Sequence, residues 1–182
     1  MILNLPNGLT FLRLALTPLI VILLIEGAFF WATLVFLLGG VTDGLDGFLA
    51  RSLREPTEFG RILDPVADKV FLGASFITLA FLGRLPIWLA GIALARDLVL
   101  VIGSCILYRA SGHLGYPPSV VGKLSTVLQV VTVVAAMILP AGDIRLGPLF
   151  WGTAAVNVAS GVGYVYRGTA ELIAHRRKAS PA

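Results

Sequence analysis

The chain has 182 residues, 57% of them hydrophobic and only 13% charged, with a net charge of +4 and a mean hydropathy of +0.91. A soluble domain is about 45–50% apolar and about 25% charged, so a water-facing globule is excluded and a lipid solvent is indicated. No soluble segment remains to carry nucleic acid, and the basic balance reads as membrane topology and attraction to anionic lipid.

Apolar runs long enough to cross a bilayer, at ~20 residues per helix, predict six helices over residues 8–26, 29–52, 58–82, 86–108, 118–139 and 146–167. Gly and Pro punctuate the breaks at Glu26–Gly27–Ala28, Pro56–Thr57, Gly83 to Pro86, Ser111 to Pro118 and Pro140 to Gly147. Strands are excluded because a bilayer leaves unpaired edges unsatisfied, and runs such as VVTVVAAMIL lack the alternation of a barrel. The expected fold is therefore an all-α integral membrane protein, one domain over residues 1–182. No secretory signal pattern is evident at the start. The single cysteine, Cys105, stands in an apolar run and is expected to serve packing.

If the six spans alternate in direction, Arg13, Arg51, Arg54, Arg61, Lys69, Arg109, Lys123, Arg167 and the tail HRRK gather at one end, leaving Arg84 and Arg145 for the other. The positive-inside rule makes the crowded end cytoplasmic and puts both termini there. Arg96 falls inside the fourth span, where a charge usually faces protein and has a partner. Its neighbour Asp97 points about 100° away on a helix, so a partner elsewhere is expected.

Against this apolar background residues 41–70 read VTDGLDGFLARSLREPTEFGRILDPVADKV, with four aspartates, Asp43, Asp46, Asp64 and Asp68. Asp43 and Asp46 are three apart near the end of the second span, and Asp64 and Asp68 four apart near the start of the third. Both spacings put a pair on one helix face. A turn around Leu53–Thr57 would bring the pairs opposite each other, and facing carboxylates in low dielectric need protons or cations to neutralise them. All-oxygen ligands suit Mg²⁺, Mn²⁺ or Ca²⁺. Gly44, Gly47, Ala50 and Gly60 leave room beside the carboxylates for close packing or a close ligand. Pro65 removes one helix hydrogen bond and is expected to bend the third span beside Asp64. Arg51 and Arg61 would pair with aspartates or hold phosphate.

The pattern Asp43-x-x-Asp46-Gly47-x-x-Ala50-Arg51, eight residues, then Gly60-x-x-x-Asp64-x-x-x-Asp68 resembles the signature of the CDP-alcohol phosphatidyltransferases, with every identity at family spacing. The resemblance extends to length and span number. It implies transfer of a phosphatidyl group from CDP-diacylglycerol to an alcohol with release of CMP. It also implies that Asp43, Asp46, Asp64 and Asp68 hold Mg²⁺ or Mn²⁺, two ions in all, and that Asp68 is the general base for the acceptor hydroxyl. Asp43, Gly47, Ala50, Arg51 and Gly60 would form the CDP site. Relatives of this kind work as homodimers, with the site at the cytoplasmic face of the membrane.

The start NLPNGLTFLRLALTP, the stretch REPTEFGRILDPVADKV and GKLSTVLQ (Gly122 to Gln129) resemble the branch that holds glycerophosphate phosphatidyltransferases and cardiolipin synthases. Asn7 reads as a helix N-cap. Arg96, Arg109 and Lys123 are the cations available to an acceptor phosphate. Glycerophosphate-using relatives show Ala-Arg-Glu followed by a second arginine, whereas Ala95-Arg96-Asp97 here has no further base until Arg109, a pattern closer to cardiolipin synthases. Glycerol 3-phosphate is the expected acceptor in a bacterial inner membrane, with phosphatidylglycerol as the alternative. Two other classes compete: intramembrane prenyltransferases, which resemble a longer bundle, and cation channels or transporters, which give no reason for the Ala50, Arg51 and Gly60 spacing.

Overall fold

The structure, a computed structural model, describes the backbone of residues 5–53, 58–111 and 119–179, and the side chains of residues 11–42, 67–107 and 119–170. Among the described residues six helices follow in chain order: α1 (Leu5–Ile25), α2 (Phe29–Leu53), α3 (Glu58–Phe81), α4 (Ile87–Ser111), α5 (Val120–Ile138) and α6 (Leu146–Ala179). They fall within a few residues of the six apolar runs. α6 is the exception, continuing to Ala179, because Ala, Glu, Arg and Lys sustain a helix after the apolar run has ended. α1 begins at Leu5, so Asn7 stands in its first turn and is not the N-cap. Pro6 belongs in that first turn because its missing N–H needs no partner there. α3 is helical through Pro65.

Three of the described helix ends have a clear local cause. After α1, Gly27 takes φ 73°, its N–H donates to Leu24 O at 3.1 Å and the Ala28 N–H to Leu23 O at 2.8 Å. The same paired bonds recur after α3, around Gly83 at φ 67°, from Gly83 N to Ala80 O and Arg84 N to Leu79 O. This left-handed glycine cap closes the last carbonyls without the penalty a Cβ would bring. Ser119 caps the start of α5: its Oγ accepts the Gly122 N–H at 3.0 Å.

The chain divides into two compact units, residues 1–87 with 133–143, and residues 88–132 with 144–182. In the first unit α1 packs against both α2 and α3, around Ile20, Leu24, Phe36, Phe76 and Leu79. Phe36 and Phe71 stack at 5.4 Å between centroids. A Cβ on Gly39 would come within 2.7 Å of the Phe71 ring, so the glycine lets α2 and α3 meet there. Arg84 donates to Leu139 O at 2.9 Å and stands 3.8 Å over the Phe29 ring. The end of α3, the start of α2 and the end of α5 thus share one end of this unit.

In the second unit α5 and α6 run antiparallel. Ser125 and Gln129 both reach Asn157, and Thr132 meets Thr153 at 2.7 Å. α4 runs parallel to α6, since Trp88 packs on Trp151 and Ser104 bonds Tyr164.

Burial differs from that of a water-soluble domain at both the polar and the apolar residues. Arg13, Arg96, Asp97, Ser125, Gln129, Thr132, Thr153, Asn157 and Ser160 are buried, while Phe30, Trp31, Phe81, Ile87, Val120 and Trp151 are exposed. Polar groups buried beside an apolar core, with large apolar groups outside, is the arrangement a lipid solvent selects. Residues 87–107 and 120–138 are long and apolar enough to cross a bilayer, and residues 11–25 and 29–42 form shorter apolar helices. Cys105 is exposed, so the packing expected of it is not observed; its position on α4 turns it away from the neighbours that Gly103 and Ser104 meet.

Candidate active site

The motif residues are carried by two adjacent helices. Asp43, Asp46, Gly47, Ala50 and Arg51 stand on α2, and Gly60, Asp64 and Asp68 on α3. Of these, Asp68 has its side chain among the described residues; those of the others, and of Arg109 near the end of α4, lie outside them. Residues 54–57, where the turn between the pairs was expected, also lie outside them.

Asp68 is half-exposed and forms an ion pair with Arg13 of α1, Nη1 to Oδ1 at 2.5 Å, while Arg13 itself is 1% exposed. A buried arginine is tolerated only with partners, and this one ties α1 to the helix that bears the second aspartate pair. The sequence placed Arg13 among the topology charges and missed this role. A signal was present: Arg13 sits in the middle of an apolar run, where a charge is costly unless it faces protein.

Arg96 and Lys123, the other described cations of the sequence reading, belong to the second unit. Arg96 is buried. Its Nη1 donates to Asp97 Oδ1 at 2.7 Å, its Nε to Ser160 Oγ at 3.3 Å, and its Nη2 to Ser160 Oγ at 3.1 Å and Gly122 O at 3.0 Å. The expectation that Asp97 would point away from Arg96 is therefore corrected. Cα positions 100° apart do not keep the groups apart, because the arginine stem is long enough to swing its planar head around the helix. Partners elsewhere exist as well, in Ser160 and Gly122. Lys123 is exposed one residue beyond that carbonyl.

Below Arg96, Ser125, Gln129 and Thr132 on α5 face Thr153, Asn157 and Ser160 on α6. Each set is spaced i, i+4, i+7, the repeat of one helix face, so these two polar stripes could have been found by inspection. Inside a lipid-facing protein they act as interhelical hydrogen-bond pairs. Alongside them a groove of about 590 Å³ is walled by Ile92, Val99, Val158 and Val162, with Arg96 and Asn157 also lining it.

Among the described residues no three His, Cys, Asp or Glu side chains form a metal-sized cluster. The motif itself offers four carboxylates, a hard-oxygen donor set suited to Mg²⁺ or Mn²⁺ rather than to zinc or copper.

A helical chain with this carboxylate motif on α2 and α3 defines a membrane-embedded transferase, and the chain belongs to the CDP-alcohol phosphatidyltransferase family, whose profile matches residues 3–163. It is 35% identical over 188 residues to a probable phosphatidylglycerophosphate synthase of Mycobacterium tuberculosis, covering 97% of this chain and 87% of that protein. It is 35% identical over 144 residues to the CDP-diacylglycerol--glycerol-3-phosphate 3-phosphatidyltransferase of Aquifex aeolicus, covering 78% of this chain and 80% of the other. It is also 40% identical over 134 residues to a CMP-forming cardiolipin synthase of Streptomyces coelicolor, covering 69% of this chain and 60% of that one. The chain is thus a membrane enzyme that transfers phosphatidyl groups, of a family that depends on divalent cations.

Proposed function

We propose that the protein transfers the phosphatidyl group of CDP-diacylglycerol to glycerol 3-phosphate, releasing CMP, and so acts as a phosphatidylglycerophosphate synthase. The relatives from Mycobacterium tuberculosis and Aquifex aeolicus, matched over most of their own length, support that acceptor. The Streptomyces coelicolor relative and the Ala95-Arg96-Asp97 pattern keep phosphatidylglycerol as the alternative. The domain is taken as the whole chain, residues 1–182, crossing a bacterial inner membrane six times. Both termini and the site face the cytoplasm, and the enzyme works as a homodimer.

The observation that carries the site is the close approach of Gly39 on α2 to Phe71 on α3. Positions 43 and 46 follow Gly39 by about one and two helical turns, and positions 68 and 64 precede Phe71 by about one and two. Two antiparallel helices that meet at that pair would carry both aspartate pairs on facing sides. On this reading Asp43, Asp46, Asp64 and Asp68 would hold two Mg²⁺ or Mn²⁺ ions. When bound, such ions neutralise the diphosphate and the negative charge gathering on CMP.

The residues of the chain do the rest. Gly47, Ala50 and Gly60 leave space for cytidine, with Asp43 beside them, and Arg51 steadies the diphosphate by paired N–H donors. Asp68, held by Arg13, takes the proton of the acceptor hydroxyl as its oxygen attacks the β-phosphorus. The new P–O bond joins phosphatidyl to acceptor, and the P–O bond to CMP breaks with its electron pair leaving on CMP. Arg109 and Lys123 supply positive charge for the acceptor phosphate, whereas Arg96 is engaged by Asp97, Ser160 and the Gly122 carbonyl. A site at the membrane face suits both substrates, because the diacyl tails stay in lipid while CMP leaves into water.

The test is an assay of the purified protein in detergent with CDP-diacylglycerol and Mg²⁺ or Mn²⁺, offering glycerol 3-phosphate, phosphatidylglycerol, inositol phosphate and serine separately. CMP release with glycerol 3-phosphate supports the proposal, and release with phosphatidylglycerol alone would move the protein to the cardiolipin branch. Metal flux into liposomes with no CMP release would leave a cation transporter in its place.

A further inference from the structure

We propose that Arg96, Asp97 and Ser160 are positioning residues that hold the first turn of α5, and through it Lys123, in place for the acceptor. The inference rests on the reading of Lys123 as an acceptor cation. An arginine has five N–H donors, and four of those on Arg96 are already engaged, by Asp97, by Ser160 twice and by the Gly122 carbonyl. Asp97 balances its charge at 2.7 Å. The groove it lines is walled by Ile92, Val99, Val158 and Val162, a poor setting for a water-soluble phosphate. Arg96 is thus engaged by protein, and the group it grips on α5 is informative.

That group is the carbonyl of Gly122, the residue before Lys123. The same turn is held from the other side by Ser119, whose Oγ accepts the Gly122 N–H and whose carbonyl accepts the Lys123 N–H, each at 3.0 Å. Gly122 eases the Ser119 grip, since a Cβ there would crowd Ser119 Oγ at 3.2 Å, while Arg96 Nη2 and Ser160 Oγ, at 3.6 and 3.7 Å, would be in ordinary contact. The first turn of α5 is therefore clamped between its own cap and a buried guanidinium carried by α4 and steadied by α6. Lys123 is exposed at the end of that clamp. A flexible four-carbon stem recognises a small anion well only if its backbone origin is held still.

The experiment is steady-state kinetics of the full-length protein in detergent, with CDP-diacylglycerol, glycerol 3-phosphate and Mg²⁺, on the wild type and Ser160→Ala, Arg96→Lys, Lys123→Ala and Ser160→Ala/Lys123→Ala. Ser160→Ala and Arg96→Lys are expected to raise the KM for glycerol 3-phosphate about fivefold or more, with the KM for CDP-diacylglycerol within about twofold. Arg96→Lys keeps the charge but loses the planar fork, so it separates positioning from simple attraction. The double variant is expected to be no worse than Lys123→Ala alone, because the clamp then has nothing to position. Full additivity in the double variant, an unmoved acceptor KM in Ser160→Ala, or equal shifts in both KM values would overturn the proposal. If Lys123→Ala itself leaves the acceptor KM unchanged, the reading of Lys123 fails and the proposal fails with it. A silent Ser160 beside a sensitive Lys123 overturns the clamp alone.

Discussion

Replacing Asp68 by asparagine keeps the side chain's shape and removes its capacity to take a proton. Asp68→Asn is expected to lower transfer by a factor of at least ~10², while equilibrium binding of CDP-diacylglycerol stays close to wild type. Retained turnover would remove Asp68 as the base. Gly39 makes a second residue-scale case, because the Phe71 ring that its Cβ would strike at 2.7 Å is itself buried. Gly39→Ala should cost about 1–3 kcal/mol through overpacking, read as a lower thermal midpoint in detergent. Pairing it with Phe71→Leu should recover part of that loss, by making room for the new methyl group. The spacing of the four aspartates can be read from the sequence, but the Arg13 partner of Asp68 cannot. An ion pair between α1 and α3 joins residues far apart in the chain, and no local periodicity encodes it.

At the scale of elements, the helices were legible because apolar length and glycine or proline punctuation are local properties. Gly27 and Gly83 close α1 and α3 with the same pair of capping bonds, and both lie in breaks read from the sequence. Ser119 is the cap of α5, and Ser119→Ala should cost about 1 kcal/mol. If the first turn of α5 matters for the acceptor, that variant should also raise the KM for glycerol 3-phosphate while leaving the donor KM near wild type. Equal changes in both would mark the cap as purely structural. The ends of α1 and α6 were misread for opposite reasons. α1 starts before Asn7 because Pro6 is at home in a first turn, and α6 outlasts its apolar run because helix propensity continues where hydrophobicity stops.

For the whole molecule, a family dependence on divalent cations and a motif of four carboxylates lead to one test. Excess chelator should end CMP release, and added Mg²⁺ or Mn²⁺ should restore it. Activity that persists in chelator would count against the proposed ligands. Asp43→Asn, Asp46→Asn and Asp64→Asn should each shift the metal titration to higher concentration, since each removes one anionic oxygen from the donor set. An unchanged titration would exclude that residue as a ligand.

The sequence by itself determined the solvent, the six helices and the reaction class. Apolar length, punctuation and the spacing of carboxylates along α2 and α3 are all written in neighbouring residues. Only the tertiary structure decided which buried polar groups answer one another: Arg13 with Asp68, Arg96 with Asp97, Ser160 and the Gly122 carbonyl, and the α5 stripe with the α6 stripe. The reason is physical. A polar side chain inside a lipid-facing protein must find a partner, and one-dimensional spacing states that need without naming the helix that meets it.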